Sequence, residues 1–219
     1  MKAVALVLMT LCLMTNLSAE PVTLITRYEV DKEHQKELHK EIKRYVRLAA
    51  HAEDNIMAEG YYEEANPSVL WVIERWDNKQ ALDKNRKQIK PGQPSLEFYV
   101  KDLEPLSKSE WQRQAPKKEE AITIMLFVDC LPGTENNFMS VYHTAMPQFR
   151  GEPGVVNYQL SQFVDDNTRF VTYEKFRNED AFKYHLGFPP IKPVLDYLET
   201  SIRQQPFQRG LHRLIMFTH

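Results

Sequence analysis

Sliding the 219-residue chain against itself by 100 positions brings its two halves into one ungapped register, and an internal repeat of this kind constrains the fold more than any other feature. Val22-Thr23-Leu24 falls on Ile122-Thr123-Ile124. Glu74-Arg75-Trp76-Asp77-Asn78-Lys79-Gln80-Ala81-Leu82 falls on Glu174-Lys175-Phe176-Arg177-Asn178-Glu179-Asp180-Ala181-Phe182, with Glu, Asn and Ala identical. Between these blocks Leu38, Ile42, Tyr45, Val46 and Ala49 recur at helical spacing, and Phe138, Tyr142, Ala145, Met146 and Phe149 take the same positions in the second copy. One supersecondary unit, written twice, must therefore account for nearly the whole chain.

Within each copy a β-rich run (Val22 to Val30, Ile122 to Cys130) leads into the amphipathic helix. Ile56 to Glu64 and Val69 to Trp76 read as a hairpin around Asn66-Pro67-Ser68, and Val155 to Val164 and Arg169 to Phe176 as its repeat around Asp165-Asp166-Asn167. Asn78 and Asn178 are typed to cap the next helices. Leu96, Tyr99, Val100 and Leu103 suggest a further helical stretch in the first copy, as Ile191, Val194, Leu195, Leu198 and Ile202 do in the second. Leu211 to Phe217 reads as a closing strand, with a weak counterpart near Glu110 to Gln114. Each copy is thus β-α-β-β-α-β, the first spanning 20–115 and the second 121–219, joined by a polar linker at 116–120. The strand Ile122 to Val128 is apolar at odd and even positions alike, so both sheet faces need cover: helices on one, the other copy's sheet on the other.

Residues 1–19 differ from the rest. A basic start, an apolar run from Ala3 to Met14 and small residues at Ser18-Ala19 read as a secretory signal peptide, which predicts a periplasmic or secreted protein with no membrane association after cleavage. The chain balances 28 basic against 30 acidic residues for a formal charge of −2, which offers no broad positive field, so nucleic acid is not an expected partner. Cleavage would leave Cys130 as the sole cysteine, expected as a buried structural thiol.

The order of elements and the run Glu174-Lys175-Phe176-Arg177-Asn178-Glu179-Asp180-Ala181-Phe182-Lys183-Tyr184-His185 resemble the antibiotic biosynthesis monooxygenase (ABM) family of the dimeric α+β barrel superfamily. The resemblance spans nearly the whole chain after residue 19, twice. It implies an α+β fold of two ferredoxin-like units pairing sheet to sheet as a pseudo-dimer within one chain. The family includes cofactor-free oxygenases of quinols and polycyclic phenols, haem-binding and haem-degrading relatives, and members without established activity.

His185 is the candidate base, because Ala181 and Phe182 precede it by one helical turn and place it on an inward stripe. An imidazole titrating near ~6.5 can take a phenolic proton at neutral pH. The alternative is a buried histidine bonded to backbone. Its counterpart Asn85 cannot act as a base. Tyr158, Tyr173, Phe176, Phe182, Trp71 and Trp76 are candidate walls for a planar substrate or, equally, core residues, with Asn85 and His143 beside them. Glu74 and Glu174 suit strand pairing or capping. His34 and His39 are five apart, off one helix face, so no metal site is expected, and no cofactor motif appears.

The function expected is cofactor-independent monooxygenation of a small aromatic or quinol-like molecule by dioxygen, with His185 as base. A non-catalytic small-molecule-binding barrel, or a haem-binding relative using His185 or His143 as axial ligand, stands as the alternative.

Overall fold

The computed structural model describes residues 20–88, 91–204 and 209–219; the expected signal peptide lies outside them. The first copy forms β1 (Val22–Glu29), α1 (Lys32–Ala50), β2 (Asn55–Glu63), β3 (Val69–Trp76), α2 (Lys79–Gln88), β4 (Leu96–Asp102) and a short α3 (Lys108–Trp111). The second forms β5 (Ile122–Asp129), α4 (Glu135–Arg150), β6 (Val155–Phe163), β7 (Arg169–Phe176), α5 (Glu179–Gly187), one 3-10 turn (Pro189–Ile191), α6 (Lys192–Thr200) and β8 (Leu211–Thr218). The five apolar positions repeated on α1 and α4 are the buried faces of both helices. Asn78 and Asn178 cap as their type demands, each side-chain oxygen accepting an amide three residues on, from Ala81 and Ala181.

The strands close into an antiparallel barrel in the order β1-β3-β2-β8-β5-β7-β6-β4. Each copy's last strand is shared: β4 pairs with β1 and, across the copies, with β6, while β8 pairs with β5 and with β2. Neither copy could satisfy its sheet edges alone. Odd-numbered residues of β1, β3, β5 and β7 point into the barrel and even-numbered ones out toward the helices, so Ile25, Trp71, Ile73, Met125, Val171 and Tyr173 share the interior while Leu24, Leu70, Ile124 and Phe170 pack outside.

Two expectations need correction. Leu96 to Leu103 is not helical; most of it is the strand β4, with Phe98 and Val100 packing in the barrel and Tyr99 against the outer cluster. Seven residues with apolar side chains at i, i+3 and i+4 fit a helix as well as a strand, and the strand prevails because both neighbouring edges need a partner. Glu110 to Gln114 is not a strand either: Ser107 and Glu110 form a capping box that starts α3. The second copy has α6 where the first has nothing equivalent, so the ungapped register ends at the second helix.

One ion pair crosses the barrel interior. Lys175 of β7 donates to Glu59 of β2 at 2.6 Å, both side chains at most 2% exposed. Tyr173 and Tyr61 also donate to Glu59, and their hydroxyls lie 2.9 Å apart. Burial alone would raise the Glu59 carboxyl; Lys175 and the two tyrosines outweigh it and hold the group below its ordinary value. Replacing Lys175 by Met strands a buried carboxylate, with an expected cost of about 3–5 kcal/mol in urea unfolding at pH 7. Adding Glu59→Gln to Lys175→Met should restore most of that loss, whereas a double variant no more stable than the single would show that the pair is not coupled.

Candidate functional site

On the outer face of the second copy, Ile124, Leu126, Tyr158 and Glu174 of the sheet and Phe182 and His185 of α5 enclose, with apolar residues of α6, a cavity of about 40 Å³. That is room for dioxygen or a water or two. Helix α5 can lie this close because residue 154 is glycine: a Cβ there would sit 2.3 Å from the Cβ of Ala181. The Asn178 cap fixes the start of α5, and one turn beyond Ala181 and Phe182 the chain turns His185 onto the buried side.

His185 is 2% exposed, ringed by Phe149, Phe176 and Tyr158 with centroids 4.8, 5.2 and 5.4 Å away. Its Nδ1 lies 2.7 Å from Oε1 of Glu152, in the turn after α4. A carboxylate accepts only, so in the neutral imidazole this contact selects the tautomer with its proton on Nδ1, in which Nε2 is the acceptor. Among the described residues Glu152 Oε2 has no partner.

Across the cavity, burial pushes the Glu174 carboxyl above its ordinary value, opposed by His185 and by hydrogen bonds from Thr172, at 2.6 Å, and Tyr158. Burial, then the nearby Glu174, drives the Tyr158 and Tyr142 hydroxyls upward as well. A buried base beside a carboxyl biased toward its neutral form is an arrangement that can accept and return protons in an apolar setting.

The equivalent place in the first copy is internally closed. Glu152 and His185 correspond to Ala52 and Asn85, and Glu74 is held by both contacts from Tyr45, at 2.7 and 2.8 Å, and by the Trp76 indole at 2.9 Å. Trp76 therefore sits in the first copy's own core, and Asn85 is half-buried on α2.

Of the expected site residues, His185, Tyr158 and Phe182 are brought together, with Phe176 behind His185. Tyr173 and Trp71 are not: strand alternation turns both into the barrel, where Tyr173 binds Glu59 and the Trp71 indole donates to Glu63 at 3.0 Å. His143 is exposed and paired with Glu104, away from the cavity. His39 stacks on Phe217 with centroids 4.5 Å apart. Cys130 is buried, and burial pushes its thiol up to about 11. Glu152 is not among the residues expected from the sequence. The repeat held a signal for it: acid and base are absent together from the first copy, at Ala52 and Asn85.

The raised Glu174 carboxyl sets a pH dependence. A group whose folded value exceeds its unfolded value, ordinarily 4.5, stabilises the fold fully below that pH and loses the contribution as pH rises through the folded value. Glu174→Gln should therefore gain stability relative to the parent in urea unfolding as pH rises above the ordinary value of 4.5. A difference that stays flat as pH rises would refute the shift.

The sequence profile of the antibiotic biosynthesis monooxygenase family matches residues 21–88 and 121–193. No curated protein sequence matches the chain. Among solved structures, a candidate monooxygenase of Fusobacterium nucleatum superposes with a TM-score of 0.74 over 90% of this chain and 93% of its own, at 13% identity. An anthrone oxidase-like protein gives 0.63 over 90% and 92% at 10% identity. A haem-degrading enzyme of Listeria monocytogenes gives 0.51 over 90% and 99% at 12% identity. At such identities the structural likenesses speak for the fold alone. The profile falls once on each copy and covers more than half of the residues, and on that ground the chain belongs to the antibiotic biosynthesis monooxygenase family, as two tandem copies of its domain.

Proposed function

We propose that the protein is a cofactor-independent monooxygenase of a small phenolic or quinol-like substrate, with one working site, in the second copy. The observation that carries this reading is the buried Glu152–His185 pair at the wall of an apolar cavity. His185 Nε2 takes the proton of the substrate hydroxyl while Glu152 stabilises the imidazolium that results. The electron-rich phenolate then reduces dioxygen. One oxygen atom bonds to the substrate carbon and ends as a carbonyl; the other leaves as water with two hydrogens from the substrate, so the substrate supplies all the electrons.

A cavity of about 40 Å³ admits dioxygen but not an aromatic ring, so ring binding requires the cover of α5 and α6 to open. The break between those helices at Phe188-Pro189-Pro190 is the joint at which it would do so. The apolar segment at 1–19 supports an exported location. The small cavity and the closed first copy favour a second reading, a binding protein without turnover.

Oxygen uptake by the full chain with a panel of quinols and polyphenols, in the presence of a metal chelator, tests the proposal. His185→Ala should lower uptake by about 10²-fold or more, and Glu152→Gln by a smaller factor with a displaced pH profile. A folded protein that binds these aromatics yet consumes no oxygen would overturn the enzyme in favour of the binding protein. Uptake unchanged in His185→Ala would remove this site from the chemistry.

A further inference from the structure

Helix α1 carries six exposed cations: Lys32, Lys36, Lys40, Lys43, Arg44 and Arg47. At about 100° per residue they fall within one sector of roughly 120°, along some ~22 Å of helix. Among the described residues none of the six lies within ion-pair distance of a carboxylate. Glu33 falls within the basic sector and Glu37 and Glu41 lie beyond its edge, so six positive charges stand against three negative ones on this helix. Cations at i and i+4 (Lys32 and Lys36, Lys36 and Lys40, Lys40 and Arg44, Lys43 and Arg47) repel one another, while Glu33, Glu37 and Glu41, each three residues before Lys36, Lys40 and Arg44, offset part of what this pattern costs the helix.

The fold does not require it. At the same positions beside and along α4 the second copy has Pro132, Asn136, Ser140, His143, Thr144 and Pro147. In a chain of formal charge −2 the stripe is a local accumulation against the overall balance.

We propose that the outer face of α1 is a docking surface for an anionic lipid bilayer, with phosphate headgroups as its ligands. Cations aligned along one helix meet a plane of phosphates together. Leu48, 45% exposed at the end of the stripe, offers an apolar contact with the headgroup layer. Nucleic acid fits less well, because α1 exposes no Trp, Tyr or Phe on which a base could stack. The surface is separate from the His185 cavity.

The test is co-sedimentation of the full chain with vesicles of phosphatidylcholine, alone or mixed with phosphatidylglycerol, at low and at high salt. The variant combines Lys36→Gln, Lys40→Gln, Lys43→Gln and Arg47→Gln, all at exposed positions, with thermal melting as the check on folding. Both proteins keep the same N-terminal segment, so the difference between them reads the stripe. The parent should bind the anionic vesicles and release at high salt, and the variant should bind about 100-fold more weakly or worse. Glu33→Gln with Glu37→Gln should bind more tightly than the parent. Equal binding by parent and quadruple variant, or no preference for anionic over neutral vesicles, would overturn the proposal. Stronger capture by duplex DNA than by anionic vesicles would replace the bilayer with nucleic acid.

Discussion

The structure depends on closure, and closure depends on each copy lending its last strand to the other. An open four-stranded sheet would leave β2, β4, β6 and β8 with rows of unpaired amides; the β2–β8 and β4–β6 seams remove all four edges together. The seams set strand against strand, and the Glu59–Lys175 pair, one partner from each copy, spans the interior between them. A buried ion pair is a weak source of stability but a strong penalty on every arrangement that separates its members.

The interior also shows what fusion of the copies permits. By the repeat, Arg75 corresponds to Lys175 and Glu59 to Gln159, so the mirror of the Glu59–Lys175 contact would join Arg75 to residue 159. Gln159 instead bonds to the backbone of Leu103 and Leu106, and Arg75 pairs with Asp102 at 2.9 Å beneath the Trp111 ring, 3.7 Å from its guanidinium carbon. A dimer of identical chains would carry both contacts or neither. Two copies in one chain can diverge, one half-barrel acquiring the Trp111 plug and the other the Glu152–His185 pair.

What could be read before the fold was known follows the range of the forces involved. Helix faces, hairpins and caps arise within about ten residues, and the repeated apolar positions, the turns at Pro67 and Asp166 and the caps at Asn78 and Asn178 all show in the sequence. Partners supplied from a distance do not show. β4 is a strand because β1 and β6 need a neighbour, and its own seven residues fit either period. Tyr158 and Tyr173 look alike as aromatic hairpin residues, yet Tyr158 pairs with Glu174 and faces the helices while Tyr173, one position on in β7's register, faces the barrel. Only parity separates them, and parity becomes visible once one residue of the strand is known to be inside. Glu152 meets His185 across 33 positions of sequence, and nothing in its own turn, Gly151-Glu152-Pro153-Gly154, announces that partner.

The buried carboxyls of the two copies titrate in opposite directions according to what bonds to them. Glu59 titrates low, so its contribution is present above its unfolded value and is lost as pH falls. Glu74 and Glu174 titrate high because both are buried, so theirs is lost as pH rises. In the first copy, hydrogen bonds from Tyr45 and Trp76 tie the carboxyl into the core, as expected of a purely structural group. In the second copy Trp76 is replaced by Phe176, which can donate nothing, and residue 145 is alanine where Tyr45 stood. Glu174 has Thr172 and Tyr158 as its donors and lines the cavity, across from a histidine bonded to a second buried carboxyl. The same repeat position thus holds a carboxyl bonded within the core in one copy and a carboxyl facing an apolar cavity in the other, and the difference rests on the tyrosine and tryptophan that donate to it in the first copy alone.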